Sequence, residues 1–79
     1  MSKVRLFTTP SCPYCYTLRE WLKGHQIEFE DVDVAKNVQA RDEMIQRSGQ
    51  IGAPVVEIDG EIIVGFDKAK ICKLLNIQE

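Results

Sequence analysis

The stretch TTPSCPYCYTLREWLKG, residues 8–24, places two cysteines at the start of a predicted helix. Pro13 suits the first helical position, because its fixed φ fits the helix and its missing N–H has no intrahelical partner there. Apolar residues, beginning with Cys15 and Leu18, then recur at helical spacing, so we predict a helix that continues to the end of the stretch. Cys12 would cap the N-terminus of this helix.

The segments on either side of this helix predict two strands and a second helix. Residues 4–8 (VRLFT) form a short β-prone run, and residues 27–34 (IEFEDVDV) alternate apolar and acidic side chains with the period of a strand. Residues 37–47 predict a helix with Val38, Met44 and Ile45 on its inward face, and Gly49 follows just past its end.

The last third of the chain predicts a hairpin and a helix. In APVVEIDGEIIVG, two β-branched runs flank Asp59-Gly60, a pair that favours a two-residue type I′ turn. Pro54 stands at the mouth of the first of these strands, a position that a strand tolerates. Asp67 is a suitable N-cap for a final helix.

The resulting order, β-α-β-α-β-β-α, predicts an α/β fold. The first two strands are joined through a helix and should be parallel, whereas the hairpin strands must be antiparallel. A four-stranded mixed sheet flanked by three helices follows, with the CxxC pair opening the first helix. This is the thioredoxin-like fold, and we expect one domain over residues 1–79.

Composition narrows the classes of function. The 79 residues are 44% apolar and 28% charged with a formal net charge of −2, so no basic stripe is present to bind nucleic acid. No apolar run approaches the ~20 residues that span a membrane, and the N-terminal sequence lacks the apolar core of a signal peptide. We therefore expect a cytoplasmic monomer. Three cysteines, an odd number, argue against a disulfide framework and favour catalysis or metal binding.

The CxxC pair is best interpreted as a redox pair. A thiolate is the attacking species, and thiols at helix N-termini have pKa values of ~3.5–7.5. Cys12 is thus the predicted nucleophile and Cys15, one turn inside, the predicted resolving cysteine. Two alternatives remain: an inert buried pair, or half of a four-ligand zinc site for which Cys72 and His25 are the remaining candidate ligands. For Cys72 itself, a packed or half-exposed thiol is the simpler interpretation, and for His25 a favourable place at a helix C-terminus.

Two segments, FTTPSCPYC and SGQIGAPVVEIDGEIIVGFD, resemble dithiol glutaredoxins and the related NrdH-redoxins. The resemblance covers nearly the whole chain and implies a thiol–disulfide oxidoreductase with a reversible Cys12–Cys15 disulfide. It implies a cis peptide bond at Pro54, with the backbone of Ala53 pairing to a bound peptide or glutathione like an added strand. The other binding residues that it implies are Tyr14, Gly65, Phe66 and Asp67.

Three departures from the glutaredoxin pattern concern the binding of glutathione. Thr9 stands where glutaredoxins usually carry Lys or Arg, Gly52 and Ala53 precede Pro54 where they have Thr-Val, and Lys68 replaces the second acid of a pair. Each lost charge-assisted contact could cost ~1.5–3 kcal/mol. The segments Ala-Pro-Val-Val (53–56) and Val-Gly-Phe (64–66) are closer to NrdH-redoxins, which take electrons from thioredoxin reductase.

The resemblance also implies partners and alternatives. No tightly bound cofactor or metal is expected, although glutathione is a possible cosubstrate. Disulfide-containing proteins, ribonucleotide reductase among them, are the expected substrates, with glutathione or thioredoxin reductase as the electron source. Two further alternatives are an iron–sulfur carrier, because some glutaredoxins bridge a cluster between subunits with glutathione, and a binding module without turnover.

Overall fold

Four strands and three helices make up the computed structural model, which describes residues 3–78. In chain order they are β1 (Val4–Thr8), α1 (Pro13–Gly24), β2 (Glu30–Asp33), α2 (Val38–Ser48), β3 (Val55–Ile58), β4 (Glu61–Val64) and α3 (Lys68–Leu75). The element order is the predicted one. Only β2 is clearly shorter than expected, because its ladder with β1 starts at the pair Arg5–Glu30. Ile27 and Phe29 instead pack against the core from the preceding loop.

The sheet has the strand order β2-β1-β3-β4. β1 pairs in parallel with β2 and antiparallel with β3, and β3 pairs antiparallel with β4. Asp59 and Gly60, with φ of 50° and 90°, form the tight turn of the β3–β4 hairpin, and these positive values are what a type I′ turn requires. The predicted thioredoxin-like topology is confirmed.

Alternating side chains of the strands divide the core into two clusters. Leu6 belongs to a cluster with Leu18 and Leu22 of α1 and Ile71 of α3, whereas Phe7 belongs to a second cluster with residues of α2. All of these side chains are fully buried. Helices therefore cover both faces of the sheet, α1 and α3 on one and α2 on the other.

Two of the three residues predicted to face inward on α2 do so, since Met44 is buried and Ile45 packs against the second cluster, but the inward assignment of Val38 was wrong. Ala40 and Met44, four residues apart, are its buried residues, and Val38 is 65% exposed. Asn37 caps the helix by accepting a hydrogen bond from the backbone N–H of Ala40 at 3.0 Å. Val38 is thus the first helical residue, about 200° around the axis from Ala40, which turns it away from the sheet.

Both predicted signals at the ends of the last two helices are confirmed. Gly49 ends α2 in the left-handed conformation with φ of 72°, and Asp67 caps α3 by accepting a hydrogen bond from the N–H of Lys70. Within residues 3–78, none of the helices has the length and apolar character needed to cross a membrane.

Candidate active site

Cys12 occupies the N-cap of α1, as the sequence predicts. Its backbone is extended (φ −97°, ψ 108°), and its Sγ accepts a hydrogen bond from the N–H of Cys15 at 3.1 Å. Its own N–H donates to the carbonyl of Thr9 at 3.3 Å, which closes the loop between β1 and α1. A backbone N–H and the positive end of a helix both stabilise negative charge on a sulfur. Cys12 is also partly exposed, so a substrate can reach it.

Cys15 lies one turn further along and is fully buried. Burial, and after it the hydrogen bond with the Cys12 sulfur, raises the pKa of the Cys15 thiol to about 12. A backbone hydrogen bond with Thr9 and the positive charge of Arg19 oppose this rise. The two cysteines therefore differ in the way that a nucleophile and a resolving cysteine must, since one is accessible and the other is held as a shielded thiol.

The register of the sheet places three loops at one edge. Phe7 pairs with Val55 and Val55 with Val64, so the segments that follow β1, precede β3 and follow β4 lie side by side. The first of these segments carries Cys12. The peptide bond between Ala53 and Pro54 is cis, and the carbonyl of Pro54 accepts a hydrogen bond from the N–H of Gly65 at 2.9 Å. The sheet thus brings the cysteine loop to the same edge as the segments implied in binding.

The remaining predicted binding residues differ in their surroundings. Tyr14 is 67% exposed beside Cys12, whereas Pro54 is buried. Phe66 packs against the core, with its ring edge-on to Trp21 at a centroid distance of 5.7 Å. Asp67 is exposed, and its carboxylate accepts the capping hydrogen bond from Lys70 at 3.2 Å. Of these side chains, Tyr14 and Asp67 are the ones accessible to a ligand.

A group of polar residues that the sequence analysis did not identify lies between α1 and β2. Buried Thr8 donates a hydrogen bond from Oγ1 to Asp31 Oδ1 at 2.6 Å, and Arg19 donates from its guanidinium to Asp31 Oδ2 at 2.9 Å. The spacing of Cys15 and Arg19, four residues apart on a helix, was a signal for it. A second signal was the alternation of side chains along β2, which puts Asp31 on the same face of the sheet as Leu6 and therefore toward α1.

The two residues named for a zinc alternative lie elsewhere. His25 is the C-cap of α1 and packs against Trp21 at a centroid distance of 4.6 Å, which fits its predicted place at a helix end. Cys72 is half-buried on α3, where it lines a cavity of about 480 Å³ with Lys68, Ala69 and Ile77. His25 lies at the opposite end of α1 from the Cys12–Cys15 pair.

A known protein family matches most of this chain. The family model described as glutaredoxin matches residues 4–63, which includes both cysteines, the cis-proline and most of the hairpin. An uncharacterised glutaredoxin-like 8.6 kDa protein of Clostridium pasteurianum is 49% identical over 73 residues, covering 92% of this chain and 97% of that protein.

Named relatives and solved structures agree with this match. Glutaredoxin 3 of Escherichia coli K12 is 34% identical over 67 residues, covering 85% of this chain and 81% of its own length. The glutaredoxin-like protein NrdH of Lactococcus lactis is 25% identical over 71 residues, covering 90% of this chain and 97% of that protein. The crystal structure of a mutant of the thioredoxin-like protein BC3987 superposes with a TM-score of 0.90 at 36% identity, covering 99% of this chain and all of the other.

Proposed function

The chain belongs to the glutaredoxin family of thiol–disulfide oxidoreductases, and on this premise we propose that it reduces protein disulfides or glutathione-mixed disulfides through Cys12 and Cys15. The observation that carries the proposal is the hydrogen bond from the N–H of Cys15 to the sulfur of Cys12 at a helix N-terminus. It marks Cys12 as the group on which negative charge is stabilised.

The first step is attack by Cys12. Its thiolate displaces one sulfur of the substrate disulfide, forms a mixed disulfide and releases the other half of the substrate as a thiolate. Partial exposure of Cys12 allows the in-line approach that this displacement needs. The loop closed by the hydrogen bond between Cys12 and the Thr9 carbonyl keeps the sulfur at the edge of the sheet.

The second step is attack by Cys15 on the Cys12 sulfur. Cys15 loses its proton to solvent, forms the Cys12–Cys15 disulfide and expels the second half of the substrate as a thiolate. The two-electron oxidation of the dithiol then balances the two-electron reduction of the substrate. Because the pKa of buried Cys15 is raised to about 12, this deprotonation is the costly part of the step.

Glutathione is one candidate reductant for the resulting disulfide. The family match supports it, and so does exposed Asp67, whose carboxylate stands at the edge of the sheet near Gly65. Recognition of glutathione here would depend on few charges, because Thr9 supplies no cation and Lys68 replaces a second acid. We propose that the protein accepts glutathione but binds it more weakly than do glutaredoxins that carry these charges.

Thioredoxin reductase is the second candidate reductant. The uncharged Thr9 beside the cysteine loop favours it, as does the similarity to the NrdH protein. Under this alternative the protein passes electrons to a protein disulfide, with ribonucleotide reductase as one possible acceptor. In either form we propose that the reaction takes place in the cytoplasm, where cysteine pairs of this kind are transiently oxidised during catalysis.

A coupled assay of NADPH oxidation tests the proposal and separates the two reductants. Wild-type protein and a disulfide substrate are combined either with glutathione and glutathione reductase or with thioredoxin reductase alone. Turnover that is lost in Cys12→Ser supports the proposed function, and the reductase that sustains it identifies the electron source. Absence of Cys12-dependent turnover with both reductases would contradict the proposal.

A further inference from the structure

The resolving step requires a thiolate at a buried position, and the positive charge of Arg19, on the same helix, acts on that position. Cys15 is fully buried, and its pKa is raised to about 12. Arg19 follows four residues later on α1, a spacing at which Cβ atoms lie about 5–6 Å apart on one helix face. Its positive charge opposes the rise in the pKa of Cys15.

The position of Arg19 is fixed by contacts with the sheet. Its guanidinium donates to Asp31 Oδ2 at 2.9 Å, and the other oxygen of Asp31 accepts a hydrogen bond from Thr8, which is 2% exposed. The Arg19 side chain is only 27% exposed. A cation held in this way is less screened by water and salt than one on a freely moving surface side chain.

The same helix carries a cation without these contacts. Lys23 pairs with Glu20 at 3.6 Å, and its side chain is 64% exposed. It lies two turns beyond Cys15, so its charge is further away and more strongly screened. Lys23 thus serves as a matched control for the removal of one positive charge from α1.

We propose that Arg19, held against β2 by Asp31, is a positioning residue that stabilises the Cys15 thiolate and so speeds release of the second product. This inference rests on the proposed function, because it concerns the second of its two steps. Arg19 acts through Cys15 and touches no substrate. The charges of Cys12 and Arg19, both at or on the same helix, act on Cys15. Asp31 of β2 faces this region through its ion pair with Arg19.

The size of the effect follows from thiol chemistry. Each unit by which the pKa of Cys15 rises lowers the thiolate fraction at neutral pH about tenfold. The more basic thiolate is the better nucleophile, with a Brønsted coefficient of about 0.4–0.5, which restores about threefold. Removing the Arg19 charge should therefore slow the second step about threefold for each unit of pKa, with no change in the first step.

The first measurement is the pKa of Cys15 itself. In a Cys12→Ser, Cys72→Ser background Cys15 is the remaining thiol, and its ionisation is followed by NMR of a 13Cβ label. We expect Arg19→Gln to raise this pKa, and Arg19→Lys and Lys23→Gln to leave it nearly unchanged. If Arg19 only tethered α1 to β2, its loss would admit water to Cys15, so an unchanged or lower pKa in Arg19→Gln overturns the proposal.

The second measurement separates the two steps. Reduced protein in a Cys72→Ser background reacts with 4,4′-dithiodipyridine, a neutral disulfide that releases one thiopyridone when Cys12 attacks and another when Cys15 resolves. We expect Arg19→Gln to slow only the second release. Equal slowing of both releases, or of neither, overturns the role of Arg19. Absence of a second release in the wild type would instead contradict the proposed function.

Discussion

The sulfur of Cys12 accepts a hydrogen bond from the backbone N–H of Cys15 at 3.1 Å, and this contact links the two cysteines by geometry as well as by spacing. It holds the sulfur of partly exposed Cys12 at the helix N-terminus, while Cys15 stays buried on the first turn. The roles that we propose for the two cysteines, attack by Cys12 and resolution by Cys15, rest on this asymmetry.

Single serine substitutions should separate the two roles. Cys12→Ser removes the attacking sulfur, so we expect complete loss of disulfide reduction. Cys15→Ser keeps the attack and prevents release, so a mixed disulfide between Cys12 and the substrate should accumulate and be visible by mass spectrometry without reductant. Cys72→Ser is the matched control and should retain turnover. Accumulation of a mixed disulfide on Cys15 in Cys12→Ser would reverse the assignment.

A cation three residues before Cys12 should improve the use of glutathione. Thr9→Lys restores a charge that can bind a carboxylate, and we expect KM for a glutathione-mixed disulfide to fall about tenfold, which corresponds to about 1.4 kcal/mol. Gln46→Lys, which adds the same charge on the exposed face of α2, should leave KM unchanged. If both variants change KM equally, overall charge rather than the position of Thr9 is responsible.

Asp67 has two possible roles that two substitutions distinguish. It caps α3 through the N–H of Lys70, and it is one of the predicted binding residues. Asp67→Ala should lower the free energy of unfolding by about 1 kcal/mol and Tm by about 4–8 °C, because the cap is lost. Asp67→Asn should keep the cap and Tm, yet raise KM for a glutathione-mixed disulfide. An unchanged KM in Asp67→Asn would restrict this residue to capping.

Acid should loosen the contact between α2 and the sheet. Arg5 of β1 and Arg47 of α2 each pair with both Glu43 of α2 and Glu57 of β3. Hydrogen bonds from Arg5, foremost, hold the pKa of both carboxyls below its usual range. A folded-state pKa below the unfolded value stabilises the fold above the unfolded pKa, which is about 4.3 for Glu, and this contribution is lost as pH falls further.

Urea unfolding as a function of pH measures this contribution. We expect the free energy of unfolding to be steady near neutral pH and to decline below about pH 4.5. The Glu57 side chain is only 13% exposed. Glu57→Gln should therefore lower the free energy of unfolding by about 1–2 kcal/mol at pH 7 and make its decline with acid less steep. Glu61→Gln, an exposed position on β4, is the control. An equally steep decline in Glu57→Gln would show that other carboxyls are responsible.

Sequence patterns were sufficient for the framework of the protein because its signals are local. Pro13 after Cys12, the Asp59-Gly60 turn and the Asp67 cap each define an element boundary through backbone preferences of neighbouring residues. The inward assignment of Val38 was wrong because the buried face of α2 depends on which residues meet the sheet. That information is tertiary and has no local signature in so short a helix.

For a related reason, the sequence carried only partial signals for the polar group formed by Thr8, Arg19 and Asp31. Thr8, Arg19 and Asp31 come together only because β2 pairs with β1 in one register, with Leu6 opposite Asp31. A shift of one residue would turn Asp31 to the other face of the sheet. The positions of Cys12 at the N-cap and Cys15 one turn inside were predictable from their spacing, whereas the residue proposed to assist Cys15 required the fold.

A redox titration tests the central claim most directly. Protein equilibrated in buffers of defined thiol–disulfide ratio is quenched with an alkylating reagent, and the oxidation state of each cysteine is read by peptide mass spectrometry. We predict a single reversible two-electron transition, between about −200 and −270 mV, in which Cys12 and Cys15 become linked while Cys72 stays alkylated throughout. Failure of Cys12 and Cys15 to form a reversible disulfide, or a transition that requires Cys72, would contradict the account.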